Sequence, residues 1–141
     1  MVKNLEIRRS DIHGDGHYYA SRGNRKHNGL DLVYQPGQVV KCFAEGLVTK
    51  LGYAYSDDLS YRYVQVTDIQ GLHCRYFYVA PSVKIRQSVR EGFVLGKAQE
   101  IGRRYPGITP HIHFEVLVRV SGQKVFLNPL QYLRALGYGF I

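Results

Sequence analysis

A mainly β fold closed by a short C-terminal helix is expected for this sequence on three grounds. Apolar and polar residues alternate in short runs rich in β-branched and aromatic side chains, turn residues punctuate those runs, and a single segment near the C-terminus carries helical spacing. The chain has 141 residues, of which 45% are hydrophobic and 21% charged. That is enough for a core of its own without disulfides, and with no internal repeat or linker, residues 1–141 read as a single domain.

In chain order, the first thirty-odd residues stand apart. Gly14, Gly16, Gly23 and Gly29 are interleaved with His13, His17, Arg22, Arg25 and Lys26, a polar composition expected of an ordered functional loop, not of a strand. Strands are expected over 38–44, 46–51, 61–68, 74–80, 93–99, 111–120 and 124–127. The turns between them fall at Pro36-Gly37, Glu45-Gly46, Ser56-Asp57-Asp58, Gln70-Gly71, Pro81-Ser82, Glu91-Gly92, Pro106-Gly107 and Ser121-Gly122. The helix follows from Asn128 as a cap, Pro129 in the first turn, Leu130, Leu133 and Leu136 at helical spacing, and Gly137 to end it.

Composition excludes several classes. No run approaches the ~18 apolar residues of a membrane span, and the charges of Lys3, Glu6, Arg8 and Arg9 interrupt any secretory signal, so the chain is expected either not to be exported by itself or to be a trimmed domain. Cys42 and Cys74 form neither a disulfide framework nor a Cys-x-x-Cys pair and read as buried thiols. The net charge of +8 favours a polyanionic partner: nucleic acid, acidic membrane or an anionic cell envelope.

Two clusters could carry chemistry. In His111-Ile112-His113-Phe114-Glu115-Val116, residues two apart on a strand share a face, so both imidazoles point together and Ile112, Phe114 and Val116 point the other way. This is either a polar strand face or half of a site. In His27-Asn28-Gly29-Leu30-Asp31-Leu32, the even separation puts His27 and Asp31 on one side of an extended segment, and Gly29 keeps that side open. The segment is either a turn into a strand with a surface carboxylate or the other half. Catalytic zinc takes three protein ligands from His, Asp or Glu and leaves one position for water. Two histidines and an aspartate would fill those places, with an unligated group beside them for proton transfer.

With an all-β chain between the two clusters, the order of motifs resembles the lysostaphin-type (LytM-like) zinc metallopeptidases. The likeness is carried by Ser21-Arg22 before His27-Asn28-Gly29-Leu30-Asp31-Leu32, by Pro36-Gly37-Gln38-Val39-Val40 and Ala44-Glu45-Gly46-Leu47-Val48, by Val89-Arg90-Glu91-Gly92-Phe93-Val94-Leu95-Gly96, by Pro110 to Glu115 and by Asn128-Pro129-Leu130-Gln131-Tyr132-Leu133. The resemblance implies an antiparallel β-sheet sandwich, of the duplicated hybrid motif kind, with a groove over Zn2+. It implies His27, Asp31 and His113 as metal ligands and His111 as the acid-base residue. It also implies hydrolysis of the stem or cross-bridge peptides of bacterial peptidoglycan. Read from the residues themselves, Arg22 and Tyr19, beside Tyr18, are either a rim that orients substrate or loop packing with a surface ion pair.

One position departs from the family pattern. Its central strand carries Tyr-x-His-Leu, but the corresponding residues here are Tyr76-Phe77-Tyr78-Val79, so Tyr78 stands in place of the second unligated imidazole. His73 is five residues away and faces the opposite side unless a bulge intervenes, whereas His13 or His17 could reach the groove from the glycine-rich loop. A phenol can still donate to an oxyanion, so Tyr78 is expected to serve as that donor. The alternative is a zinc-binding module without turnover, since the loop pattern and this tyrosine are similar to the leukocyte chemotaxin branch of the fold. Action on the cell envelope follows from the resemblance and suits the positive charge; with no export signal or wall-binding module visible, delivery is expected either as a phage-encoded, virion-borne or lysis-stage protein, with other virion or tail proteins as partners, or as a domain trimmed from a longer secreted enzyme. Nucleic acid is set aside as a partner because most of the 12 Tyr and 6 Phe alternate within strands and read as core.

Overall fold

The computed structural model describes residues 3–22 and 25–141, with the backbone alone at 21, 22, 25 and 26. In chain order the strands are β1 (Lys3–Leu5), β2 (Ser21–Arg22), β3 (Arg25–Lys26), β4 (Leu30–Val33), β5 (Val39–Lys41), β6 (Gly46–Tyr53), β7 (Arg62–Asp68), β8 (His73–Phe77), β9 (Val79–Pro81), β10 (Ser88–Val89), β11 (Val94–Ala98), β12 (His111–Val120), β13 (Gln123–Leu127) and β14 (Tyr138–Phe140). A 3₁₀ turn, Ile101–Arg103, and one α-helix, α1 (Pro129–Ala135), complete the described elements.

The main sheet runs β10, β6, β7, β8, β12, β13, and β4 adds to β12. A second sheet runs β5, β11, β9. Pairing is antiparallel throughout both, and the β1–β14 pair, which ties the two ends of the chain together, is parallel. Val48, Val64, Val66, Tyr76, Phe114 and Val116 from the main sheet and Val40, Val79, Leu95 and Ala98 from the second bury into one apolar cluster. Phe43 is its hub, with ring centroids 5.0–5.3 Å from Phe114, Tyr76 and Tyr138, and Tyr76 accepts the Phe43 amide at 2.9 Å. Cys42 and Cys74 are free thiols within this core, and burial lifts the Cys74 pKa to about 12.

The expected α1 forms as its caps dictate: Asn128 accepts from the Leu130 amide and Gly137 turns at φ +97°. Of its leucines only Leu133 is fully buried, and Leu136 faces solvent. Elsewhere the expectation needs correcting. The run 74–80 is not one strand, because Tyr78 at φ +69° breaks it into β8 and β9, which belong to different sheets. The first thirty residues are not all loop, since β1, β2, β3 and the start of β4 lie among them.

Candidate metal centre

The strand β12 is the spine of the site. Its alternation sends Ile112, Phe114 and Val116 into the core, all 0% exposed, and sends His111, His113 and Glu115 to the opposite face. Antiparallel register sets His113 directly across from Asp31 on β4, so the two side chains share that face, while Leu30 and Leu32 are buried on the other. Gly29 makes room: a Cβ there would fall 2.5 Å from the Phe114 carbonyl and 2.7 Å from the His113 ring.

Three atoms converge. His27 Nε2 lies 2.9 Å from His113 Nδ1 and 3.1 Å from Asp31 Oδ1, and His113 Nδ1 lies 3.0 Å from Asp31 Oδ1. The outer nitrogens are committed elsewhere. His27 Nδ1–H donates to the His17 carbonyl at 2.9 Å, and His113 Nε2–H donates to Glu115 at 2.8 Å. Neutral imidazoles held in those tautomers turn two lone pairs toward the carboxylate, so the centre calls for a proton or a cation. Zinc bonds of ~2.0–2.1 Å at tetrahedral angles would set the donor atoms roughly 3.3 Å apart, close to the spacing found. The donor set therefore fits a zinc ion.

Charge at the centre follows from the same contacts. Burial opposes ionisation of Asp31, but hydrogen bonds from His113 and His27 outweigh it and hold the carboxyl well below the usual carboxylate range. Burial likewise opposes charge on His113, and its bonds to Asp31 and Glu115 prevail, bringing the imidazole up to about 9 in the metal-free chain. Glu115 is held in turn by Arg75 at 3.5 Å, which Gln65 orients at 2.8 Å.

His111 is buried beside this triangle. Its Nδ1–H donates to the Thr109 carbonyl at 2.7 Å, leaving Nε2 pointed at Asp31 Oδ2, 3.6 Å away. Burial lowers its pKa against the pull of Asp31, so at neutral pH the imidazole is a neutral base.

Above these groups lies a cleft of about 400 Å³. The positive φ of Tyr78 turns its side chain into the cleft, with its ring 5.6 Å from that of His111. Tyr55 donates to the Tyr78 hydroxyl at 3.1 Å, which frees the Tyr78 proton to point away from Tyr55. Burial raises the Tyr78 pKa, so the phenol keeps that proton.

The two expected clusters thus meet: His27, Asp31 and His113 form one triangle, and His111 and Tyr78 flank it. Tyr19 does not line the cleft. It is 62% exposed and packs on Tyr18, because its backbone at φ +68° turns the side chain outward. The Arg22 side chain lies outside the described residues. His13 does line the cleft, whereas His17 contributes only its carbonyl and His73 bonds Thr67 outside the cleft lining. Sequence reasoning missed Arg8, Tyr55 and Tyr105 in the cleft wall. Arg8 left no signal, since its partner Asp31 is 23 residues distant, whereas Tyr55 and Tyr105 sit in turn-rich segments where an aromatic side chain is a detectable anomaly.

Residues 25–129 match peptidase family M23. Leukocyte cell-derived chemotaxin-2 of Bos taurus is 31% identical over 110 residues, covering 78% of this chain and 72% of that protein. Lysostaphin of Staphylococcus simulans is 25% identical over 130 residues, covering 90% of this chain and 25% of its own length. Its solved structure superposes with a TM-score of 0.71 at 23% identity, over 92% of this chain and 52% of that one, so the lysostaphin-type fold is shared. A zinc-containing peptidase of Vibrio cholerae superposes with a TM-score of 0.60 at 26% identity, over 84% of this chain and 36% of that one. The chain spans about a quarter of curated lysostaphin and half of the solved lysostaphin chain.

Proposed function

The chain belongs to peptidase family M23, and we propose that it is a zinc endopeptidase that hydrolyses stem or cross-bridge peptides of bacterial peptidoglycan at the cell envelope. The observation that carries this reading is the convergence of His27 Nε2, Asp31 Oδ1 and His113 Nδ1 within 3.1 Å of one another, with both outer imidazole nitrogens already bonded. Zinc held by these three atoms supplies Lewis acidity, polarising a carbonyl and acidifying a water.

The remaining work falls to the chain's own residues. His111 Nε2, fixed by the Thr109 carbonyl, takes the proton of the attacking water and returns it to the leaving amine. The Tyr78 hydroxyl donates to the oxyanion, a contribution worth about 10²–10³ in rate for such a donor. Tyr55 keeps that hydroxyl aimed. Glu115 and Arg75 hold His113 in the tautomer that presents Nδ1. The cleft supplies room for an extended peptide, and the basic surface suits an anionic wall.

A second reading, a zinc-binding module without turnover, is favoured by Tyr78 in the cleft and by the 31% identity to chemotaxin-2. Mass spectrometry of fragments released from purified peptidoglycan by the zinc-loaded protein separates the two. The enzyme reading expects new peptide termini that vanish in His111→Ala, and equal release from both proteins would remove it.

A further inference from the structure

The amino-terminal segment before residue 25 lies outside the family match, yet it places a buried guanidinium in the floor of the site. Arg8 is 2% exposed. Its Nε donates to Asp31 Oδ2 at 3.0 Å, Nη1 donates to Asp11 Oδ2 at 2.7 Å and to the Gly14 carbonyl at 2.9 Å, and Nη2 donates to the Asp15 carbonyl at 3.2 Å. The backbone is stitched to the same place. The Arg8 amide donates to the Asp31 carbonyl, the Gly16 amide to the Arg8 carbonyl, and the Asp31 amide to the Gly16 carbonyl, at 2.9, 3.1 and 2.7 Å. Only glycine fits at position 16, where a Cβ would lie 2.6 Å from Arg8 Cβ and 2.9 Å from Asp31 Cβ.

Asp11 continues the chain of contacts to the other side of the cleft. The oxygen that receives Arg8 also accepts the Thr109 amide at 2.9 Å, and its second oxygen accepts the His13 amide at 2.7 Å. Burial opposes the Asp11 charge, and these bonds together with Arg8 overcome it, lowering the pKa to about 2. The Thr109 carbonyl is what holds His111 Nδ1–H. His13 adds a second tie to the same loop, with Nε2 2.9 Å from the Pro106 carbonyl.

We propose that Arg8 and Asp11 are positioning residues, forming a clamp from outside the family core that sets two side chains at once. Arg8 occupies Asp31 Oδ2, which leaves Oδ1 as the atom facing His27 and His113. Asp11 fixes Thr109 and thereby the direction of His111 Nε2. A fork of donors is needed at position 8, because a single ammonium cannot reach two carboxylates and two carbonyls in different directions. The inference rests on the reading of Asp31 as a zinc ligand and His111 as the base.

Two near-isosteric or charge-preserving variants test it in the full chain. In Asp11→Asn one side-chain atom becomes a donor and must oppose either the His13 amide or the Arg8 and Thr109 donors. The expected result is loss of the protected His111 Nδ1–H proton signal in the NMR spectrum, together with a 10–100-fold fall in kcat on purified peptidoglycan, with KM and zinc affinity within threefold. Arg8→Lys keeps the charge and loses the fork, so its zinc affinity, measured by competition with a chromophoric chelator, is expected to weaken at least tenfold. Folded variants that keep the His111 signal and bind zinc within threefold of the parent would overturn the clamp. If the parent itself releases no wall fragments, the enzyme reading falls, while the His111 signal and the zinc titrations still decide the clamp.

Discussion

Zinc and a proton compete for the same atom, and the competition is measurable. In the metal-free chain His113 Nδ1 shares a hydrogen bond with Asp31, and its pKa is about 9 against an ordinary 6.5. Zinc must displace that proton. Asp31 carries none to displace, because its carboxyl ionises well below the usual range. Between pH 8 and pH 6 the apparent zinc affinity is therefore expected to fall about 100-fold, close to tenfold per unit. The sign for stability without metal is opposite. A raised pKa means that the charged His113 stabilises the fold fully below pH 6.5 and that this contribution, on the order of 3 kcal/mol, is lost as pH rises through 9. Calorimetric titration with zinc in buffers of different ionisation enthalpy reads the displaced proton directly, and about one per zinc is expected at pH 7. Release near zero, or an affinity that changes less than threefold over that pH range, would show that zinc and a proton do not compete at His113.

Three substitutions probe the surrounding geometry. Gly29→Ala forces a Cβ to within 2.5–2.7 Å of the Phe114 carbonyl and the His113 ring. Overpacking of this kind costs typically ~1–3 kcal/mol, so a lowered Tm and at least tenfold weaker zinc binding by chelator competition are expected. Glu115→Ala removes the acceptor that holds the His113 tautomer and should weaken zinc binding about 10–100-fold, read by the same competition above pH 9, where His113 no longer carries the competing proton. Tyr78→Phe deletes one hydroxyl and should lower kcat about 10²–10³-fold with little change in KM; unchanged turnover in a steady-state peptidoglycan assay would remove Tyr78 from the reaction.

The half of the site on β12 was legible because strand alternation is local: the sequence of 111–120 separates core from polar face without reference to anything distant, and the strand's observed bounds match. The pairing of His27 with Asp31 could be read from the even separation and from Gly29, whose role as a space for the His113 ring required the partner strand to be seen. Tyr78 was identified by its place in a motif, but its outward turn into the cleft depends on a positive φ that nothing in the flanking residues encodes. Arg8 and Asp11 were opaque for a different reason. Their partners are 23 and 98 residues away, and an ion pair across such distances leaves no periodicity. The short edge strands β1, β10 and β14 escaped because two or three residues are too few to show alternation. Of the two readings open for Tyr19, its exposure outside the cleft lining fits loop packing on Tyr18, a distinction set by the positive φ of its backbone and not visible in its neighbours.

Peptide hydrolysis at this site requires three donor atoms to grip one ion, and anomalous diffraction at the zinc edge from crystals of the zinc-loaded protein locates that ion. One peak per chain is predicted, about 2.0–2.2 Å from each of His27 Nε2, Asp31 Oδ1 and His113 Nδ1. A protein that takes up no stoichiometric zinc, or a peak bonded to other side chains, would contradict it.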